Sequence, residues 1–556
     1  MQLSSGDPLK TIVALALVVS VPFAVFLWHA SAYGPWLIDD AGISFAYAKN
    51  LISGEGLVAQ AGADPVEGFS NPLWTIVIAL LYGLDLFFVP ITPKILSALF
   101  IFLGFLAIAA GVRQVVSGRA WMVTAGMALI LCAANPGFVI WSVSGLENPL
   151  LVFLVSLLLL ILVRMGRDSP LVGNGSSLAA GLVAAALALT RPDGILYSVV
   201  FPIALLSVRP IAQVRASVRQ LLLYGVTVLL PVSAYVAFRL SYFGEWLPNT
   251  YYAKPGTSLS GLLDLAALAG PGATRFSELT TAVLPFFPLA LPLLLGLSVS
   301  GATYMKDRVV ARSLGLVSLV LFVALLPHLL LPSDWMGEFR FATPVFLISY
   351  LLCFLVMELV LANVGTTAVK WTLMVSMSLA VLLLSFHDFR FRASNFAGNP
   401  AAPLAGVAKA HWHFGELADR FAIQNATMLV PDLGGSLMYS KLRVIDLAGL
   451  CDREFGRLYF RGALPAEFAD HIASGIKPSF VHIHGYWARA SGLTESEAFA
   501  RDYLSLGNGD FIRRAALPEN IADTLVQEAY DAKRRTAPEA TDLTAYPRLG
   551  LLGSGK

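Results

Sequence analysis

Residues 11–50 read TIVALALVVSVPFAVFLWHASAYGPWLIDDAGISFAYAKN. The run from residue 11 to residue 30 contains no Asp, Glu, Lys or Arg, and about 20 apolar residues are enough for a helix to cross a bilayer. Asp39 and Asp40 follow this run, and small and apolar residues then recur at helical spacing up to Ala48. The stretch therefore predicts a membrane-spanning helix followed by a surface helix that begins with two adjacent carboxylates.

The whole chain of 556 residues shares this apolar character, with 57% hydrophobic and 13% charged residues and a mean hydropathy of +0.71. Soluble proteins carry roughly 25% charged residues, so a soluble enzyme and a disordered chain are excluded. The 38 basic and 36 acidic residues nearly cancel, which argues against a nucleic-acid partner. The three cysteines lie far apart and indicate neither a disulfide framework nor a thiolate metal site. Composition predicts a polytopic α-helical membrane protein whose principal partner is the lipid bilayer.

Eleven apolar runs are long enough to be membrane spans. They lie at about 11–30, 95–112, 121–140, 149–163, 177–190, 194–208, 220–240, 279–300, 311–331, 344–363 and 369–386. The runs 177–190 and 194–208 are short and could instead form one broken helix. A further run, 74–89, is interpreted as a re-entrant or juxtamembrane helix, because only then do the basic loop residues fall on one side, the cytoplasm.

Charged residues return after residue 386, and short β-rich runs alternate with helical patterns. We therefore predict a membrane domain at 1–386, with 31–73 as its first periplasmic loop, and a soluble α/β domain at 387–556. Eleven spans that start inside place this second domain outside.

The candidate functional residues lie in the predicted outward loops. Asp39 and Asp40 could cap a helix, but capping needs only one aspartate, and two adjacent carboxylates at a membrane face favour a base or a metal ligand. In residues 65–74, PVEGFSNPLW, Glu67 and Asn71 offer donors and acceptors, although Asn71 could simply cap the next helix. Glu147, in SGLEN, starts another helix, where the helix dipole favours an acidic residue in any case.

Three further clusters contain cations. Arg191 and Asp193 could bind a substrate or simply pair with each other, while Lys254 lies outside against the positive-inside bias and suits an anionic partner such as a phosphate. Arg340 could bind a phosphate or pair with Asp334 or Glu338. The P-loop, HExxH and dinucleotide motifs are absent, so the energy for an outer-surface reaction would have to come with a lipid-linked substrate.

In order, these motifs resemble those of the bacterial membrane glycosyltransferases of the GT-C fold, most of all the polyprenyl-phosphate-dependent arabinofuranosyltransferases of the terminal-arabinan and pilin-modifying types. The matching segments are Asp39-Asp40, residues 66–74, 144–147, 191–194, 247–254, 334–341 and 444–450. The resemblance covers residues 36–490 and is more specific for the fold than for the sugar.

The resemblance implies a polyprenyl-phosphate sugar donor, a glycan, lipoglycan or pilin-like protein acceptor, and an active site that faces the periplasm at the bacterial inner membrane. Asp39 or Asp40 would be the base and, with a divalent cation (Mg, Mn or Ca), the metal ligand. The other implied roles fall into three groups. Lys254, Arg340 and Trp335 would bind the donor and its phosphate; Glu67, Asn71, Glu147, Arg191, Asp193 and Asp334 would bind substrate; Asp432, Tyr439 and Asp446 would contact the acceptor.

Two enzyme hypotheses and two others stay open at this point. The first is transfer of D-arabinofuranose, and the second keeps the fold with a hexose donor. A flippase or transporter of lipid-linked glycans would also have many spans, but its ionisable residues should lie near mid-bilayer and not at one face. An inactive glycan-binding protein would tolerate loss of both Asp39 and Asp40.

Overall fold

The computed structural model describes residues 8–167, 173–208, 214–254, 271–283, 308–331, 335–361 and 367–536. Contacts among them divide the chain into two compact units, which are described separately. The helical unit lies within residues 1–34, 93–235 and 259–401, and the sheet unit within residues 35–92, 236–258 and 402–556.

Long apolar helices form the helical unit. Helices wholly or largely within it are Pro8–Ser31, Ile91–Val115, Ala120–Ala134, Pro136–Ser142, Asn148–Arg167, Asn174–Thr190, Val200–Val208, Val214–Tyr242, Ala273–Val283, Arg308–Leu330, Thr343–Val360 and Thr367–Gly398, with 3₁₀ helices at Pro192–Val199 and Arg340–Ala342. Among the described residues, seven helices are long and apolar enough to cross a membrane, or eight if one bent pair is a single span. The chain is therefore a multi-pass membrane protein, and the predicted count of eleven spans stays a prediction.

The apolar run predicted as a span at 121–140 is not one straight helix. The structure has two helices there, Ala120–Ala134 and Pro136–Ser142, bent by 75° at Asn135. A residue before proline avoids the helical conformation, and proline has no N–H to continue the ladder. Asn135 adopts an extended conformation, and its side chain accepts a hydrogen bond from the N–H of Gly137, so it caps the second helix.

The structure bears on three other predicted segments in different ways. The run at 177–208 is a 17-residue helix, Asn174–Thr190, followed by the 3₁₀ helix and Val200–Val208. The predicted span 279–300 lies largely outside the described residues. The helix Thr367–Gly398 contains the boundary predicted between residues 386 and 387.

In the sheet unit, α1 (Asp39–Ile52), α2 (Pro72–Gly83), α3 (Leu404–Arg420) and α4 (Gly434–Tyr439) lie close to the candidate site. The 12 residues of α2 correspond to about 18 Å, too short to cross the roughly 30 Å hydrocarbon core, in agreement with the prediction that the 74–89 run does not span. Smaller helices complete this unit. They are Asn249–Tyr252, Arg453–Phe460, Pro465–Asp470, Gly485–Ser491, Glu497–Asp502 and Asp523–Arg535, with a π-helical turn at His471–Ile476 and 3₁₀ turns at Leu493–Glu495 and Arg514–Ala516.

A five-stranded mixed sheet, the β part of the predicted α/β domain, is the centre of the sheet unit. Its strands are β1 (Thr427–Val430), β2 (Arg443–Asp446), β3 (Phe480–His482), β4 (Tyr503–Gly507) and β5 (Asp510–Arg513), in the order β2-β1-β3-β5-β4. Strands β1, β2 and β3 are parallel, while β5 is antiparallel to β3 and to β4. Successive residues of β1 enter opposite cores: Met428 belongs to the same hydrophobic cluster as Phe414, and Leu429 to the same cluster as Phe455.

Candidate active site

The adjacent carboxylates begin α1, as the sequence predicts, but they have different surroundings. Asp39 is buried, and its two carboxylate oxygens accept hydrogen bonds from the backbone N–H groups of Gly434 (2.9 Å) and Gly435 (2.7 Å) at the start of α4. The backbone N–H of Asp39 donates to the carbonyl oxygen of Ala402 at 2.9 Å. Asp40 is partly exposed. Asp39 thus joins α1 to the start of α4, whereas Asp40 is less deeply buried.

Burial raises the pKa of Asp39 to about 8, because the low-dielectric surroundings penalise the carboxylate. The amides of Gly434 and Gly435 act in the opposite direction but do not cancel this effect, and the nearby charges of Asp40 and Asp432 raise the pKa further. Asp39 is therefore largely protonated near neutral pH, in contrast to an ordinary surface aspartate.

The close approach of α1 to α4 requires glycine at the contact. A Cβ atom at Gly434 would overlap the carbonyl oxygen of Asp39, and a Cβ at Gly42 would come within 2.7 Å of the carbonyl carbon of Gly434. A Cβ at Gly435 would lie 2.6 Å from the carbonyl oxygen of Leu404 in α3. These distances are below van der Waals contact, so only glycine lets the amides at the start of α4 reach the Asp39 carboxylate.

The metal site predicted at Asp39 and Asp40 stays a prediction. Each oxygen of Asp39 accepts one amide hydrogen bond, and Asp40, the other predicted ligand, is partly exposed. Within the described parts of the chain, no group of three His, Cys, Asp or Glu side chains is arranged to hold a metal ion.

Glu67 and Asn71 lie buried in the same unit. Glu67 forms a bidentate ion pair with Arg239, with Nε–Oε2 at 2.5 Å and Nη2–Oε1 at 3.1 Å. The Oδ1 atom of Asn71 accepts hydrogen bonds from the hydroxyls of Ser44 (3.0 Å) and Thr75 (3.1 Å). Asn71 occupies the N-cap position of α2, but its side chain makes no capping hydrogen bond, so the alternative capping role is not seen.

Asn249 connects the motif at 247–254 with the loop after β2. Its backbone N–H donates to the carbonyl of Glu67 at 2.9 Å, and its side-chain amide donates to the carbonyls of Gly449 (2.7 Å) and Asp452 (2.9 Å). Gly449 has φ +73°, and a Cβ there would lie 2.6 Å from the nitrogen of Gly456. Three motifs that lie far apart in the sequence, 66–74, 247–254 and 444–450, are therefore neighbours in the sheet unit. Lys254 is exposed at the end of the second one.

In the helical unit, Glu147 is paired with arginines. Arg191 lies 3.3 Å from Glu147 and 2.9 Å from Asp193, so it does pair with Asp193 as one reading of the sequence expected. Arg340 lies 3.9 Å from Glu147, and both guanidinium groups lie over the Phe341 ring. Glu147, Arg191 and Arg340 are thus brought together within this unit.

The other proposed partners of Arg340 behave differently. Glu338 pairs with Arg392 at 2.5 Å, and Asp334 lies outside the described residues. Trp335 is 64% exposed. The segment around Arg340 is fixed by Trp141, whose indole donates to the Glu338 carbonyl at 3.0 Å, and by Asn148, whose amide donates to the Thr343 hydroxyl at 2.8 Å.

The predicted acceptor contacts lie along the sheet. Asp432 follows β1 and is partly exposed, Tyr439 ends α4, and Asp446 ends β2. Asp446 is buried and accepts a hydrogen bond from the N–H of Cys451 at 2.6 Å; burial raises the pKa of its carboxyl to about 7.

Sequence reasoning missed several polar residues. Arg239 lies near the end of a predicted span, where an ionisable residue is itself a signal. Four of the eight histidines occur as His-x-His pairs, His411 with His413 and His482 with His484, a pattern that could have drawn attention to the sheet. His482 and His413 contact the two oxygens of Asp510, at 2.6 and 3.0 Å.

Comparison with known proteins identifies a relative by sequence and solved structures with a similar fold. No family model matches the sequence. The chain is similar to a terminal β-(1→2)-arabinofuranosyltransferase from Corynebacterium glutamicum, with 26% identity over 363 residues, which cover 60% of this chain and 49% of that protein. The chain therefore spans about half the length of this curated relative.

Two solved structures share the fold. The archaeal oligosaccharyltransferase AglB from Archaeoglobus fulgidus, in complex with an inhibitory peptide and a dolichol-phosphate, matches with a TM-score of 0.52 and 12% identity over 91% of this chain and 75% of that chain. ArnT from Cupriavidus metallidurans, in the apo state, matches with a TM-score of 0.52 and 15% identity over 85% of this chain and 93% of that chain. The expected GT-C fold is confirmed.

Proposed function

We propose that this chain is a membrane glycosyltransferase that transfers a sugar, D-arabinofuranose, from a polyprenyl-phosphate donor to an acceptor. The observation that carries the proposal is the carboxylate pair at the start of α1, in which Asp39 is fixed by two amides while Asp40 is partly exposed. The similarity to an arabinofuranosyltransferase supports the sugar, and a GT-C protein of the same fold in complex with dolichol-phosphate supports the donor class.

Asp40 is the base in this proposal, and Asp39 is a positioning residue. The acceptor hydroxyl oxygen attacks the anomeric carbon, its proton passes to Asp40, and the bond from that carbon to the phosphate oxygen breaks. The electron pair leaves with the polyprenyl phosphate. Asp39 is suited to positioning because both of its oxygens are engaged by backbone amides at 2.9 and 2.7 Å, which fixes the first turn of α1.

Lys254 is the proposed phosphate ligand of the sheet unit, since it is exposed and lies in the same unit as Asp40. Arg340, Trp335 and Asp334 keep their predicted donor and substrate roles as proposals. Glu67, Asn71, Glu147, Arg191 and Asp193 make the contacts described above and are proposed to shape the substrate-binding regions of their own units.

The acceptor is a glycan, a lipoglycan or a pilin-like protein, and the reaction takes place at the periplasmic side of the bacterial inner membrane. The positive-inside distribution of the loop residues supports this orientation. The proposal also keeps the predicted division into a membrane domain, residues 1–386, and a periplasmic α/β domain, residues 387–556.

Transfer by the purified full-length chain in detergent tests the proposal. The native protein is incubated with synthetic polyprenyl-phosphoryl arabinofuranose or hexose donors and a panel of acceptors, beside Asp40→Asn and the control Asp64→Asn. Asp64 is an exposed aspartate of the same unit. We expect transfer from the arabinofuranose donor, a loss of about 10²- to 10⁴-fold in Asp40→Asn, and none in the control.

Two results would contradict parts of the proposal. Transfer from a hexose donor alone would refute the sugar and keep the reaction. Absence of transfer from every donor by folded native protein would refute the enzyme assignment.

A further inference from the structure

The carboxyl ends of the parallel strands contain a pair of polar side chains that the transfer mechanism does not use. In the strand order β2-β1-β3, the chain leaves β1 for β2 on one side and returns to β3 on the other. Such a reversal of strand order opens a crevice at the carboxyl ends of the two diverging strands, where open α/β sheets bind ligands. Asp432 follows β1 and His484 follows β3, so both lie at this edge.

Asp432 and His484 contact each other and remain accessible. The Nε2 atom of His484 lies 2.9 Å from Oδ2 of Asp432, with 47% of the His484 side chain and 31% of the Asp432 side chain exposed. Ion pairs with this exposure add about 0–1 kcal/mol to folding stability, so the fold does not depend on this one. A carboxylate that fixes one imidazole nitrogen leaves the other nitrogen oriented for a ligand.

The neighbouring histidines have structural partners instead. His411 and His413 are buried, and His482 is largely buried. His411 lies 2.6 Å from the Ser436 hydroxyl, and His413 and His482 contact Asp510, which also accepts a hydrogen bond from Tyr530 at 2.7 Å. These groups join α3, β3, β5 and the helix Asp523–Arg535 into one core. Of the two His-x-His pairs, only His484 presents a half-exposed ring.

An exposed aromatic side chain lies close to His484 in the sequence. Tyr486 comes two residues after His484 and is 53% exposed. Sugar rings combine hydroxyl groups with apolar C–H faces, so a few oriented polar groups beside an aromatic ring are the chemistry that recognises them.

The location relates this surface to the carboxylate pair of α1. Asp432 precedes Gly434 and Gly435, whose amides bind Asp39, and the charge of Asp432 is close enough to act on the Asp39 carboxyl. The edge formed by Asp432 and His484 therefore lies near the start of α1, within the sheet unit.

We propose that Asp432, His484 and Tyr486 form a subsite, the His484 subsite, that binds a sugar residue of the acceptor glycan. This inference rests on the proposed glycosyltransfer. Asp432 orients the imidazole of His484, which exchanges hydrogen bonds with sugar hydroxyls, and the Tyr486 ring packs against the apolar face of the sugar.

Steady-state kinetics of the full chain test this subsite, with His484→Ala and Tyr486→Ala beside the control His471→Ala. His471 forms a comparable partly exposed pair with Glu454 at 3.2 Å but lies in the π-helical turn that precedes β3. We expect the acceptor KM to rise about tenfold in each subsite variant, which corresponds to a loss of about 1.4 kcal/mol of acceptor binding. The donor KM, kcat at saturating acceptor and the unfolding temperature should stay unchanged, as should every parameter of the control.

An unchanged acceptor KM in both subsite variants would overturn the inference. Binding of an arabinofuranose oligosaccharide, followed by saturation-transfer NMR, separates it from the proposed function. If the native chain binds the oligosaccharide and His484→Ala does not, the subsite stands even where no donor supports transfer. If both bind equally, the subsite is refuted although transfer is observed.

Discussion

Asp39 in the sheet unit and Glu147 in the helical unit are both buried carboxylates, and the chain compensates them in different ways. Asp39 accepts hydrogen bonds from two neutral backbone amides, whereas Glu147 faces the guanidinium groups of Arg191 and Arg340. Backbone amides orient the Asp39 carboxylate by hydrogen bonds but carry no net positive charge. Burial therefore still raises the pKa of Asp39 to about 8. Two arginines supply charge and make Glu147 part of an ionic cluster. The first arrangement positions a helix end, whereas the second is a buried network of charged side chains.

Removing a partner from the ionic cluster should have the largest effect. Arg191→Met leaves Glu147 and Asp193 without their closest cation, and breaking a buried ion pair costs about 3–5 kcal/mol. We expect the detergent-solubilised variant to unfold at a markedly lower temperature than the native protein. Fluorescence-detected size exclusion after heating measures this difference. Arg119→Met, at an exposed arginine of the same unit, should change little. Equal stability of the two variants would mean that the cluster does not support the fold.

Adding a methyl group at Gly434, whose backbone amide binds Asp39, should have the next largest effect on stability. Gly434→Ala places a Cβ on the Asp39 carbonyl oxygen, and overpacking of this kind costs about 1–3 kcal/mol. The control is Gly406→Ala in α3, where a Cβ meets Pro403 at an ordinary 3.6 Å. Thermal unfolding should separate the two substitutions, with only Gly434→Ala losing stability. If both behave alike, α1 and α4 do not approach as closely as described.

The smallest effect is a change in pH dependence. The folded pKa of Asp39, about 8, lies above the ordinary value of 3.8, so the folded state binds the proton more tightly. Its contribution to stability is therefore complete below pH 4 and is lost as pH rises through 8. Asp39→Asn should lose about 1 kcal/mol at pH 5, because its NH₂ group faces an amide donor, and this deficit should shrink and then reverse as the pH rises towards 8. Unfolding temperatures of both proteins across this range provide the measurement; a constant deficit would contradict the raised pKa.

The sequence predicted the parts of this comparison that depend on local pattern. Asp39 and Asp40 begin a helix, as expected from the apolar spacing after them, and Arg191 pairs with Asp193 two residues away. The apolar runs identified a membrane protein, and the order of the motifs indicated the GT-C fold.

Long-range partners could not be predicted in the same way. Glu67 pairs with Arg239 and Asp39 with Gly434 because the fold brings distant segments together, and no spacing rule encodes such contacts. The proline after Asn135 could have predicted the bend there. The span at 121–140 was predicted from hydropathy alone, which does not distinguish one helix from two. The sheet histidines were overlooked because single histidines carry little information until their neighbours are known.

The most direct test of the central claim compares Asp39→Asn with Asp40→Asn in transfer from polyprenyl-phosphoryl arabinofuranose, with each rate normalised to the folded protein present. The proposal predicts that Asp40→Asn keeps native stability and loses about 10²- to 10⁴-fold in kcat, because the base is gone. Asp39→Asn should lose only about tenfold in kcat, because it removes a positioning group and not the base. A stable Asp39→Asn protein without activity, beside an active Asp40→Asn protein, would contradict the account and assign the base to Asp39.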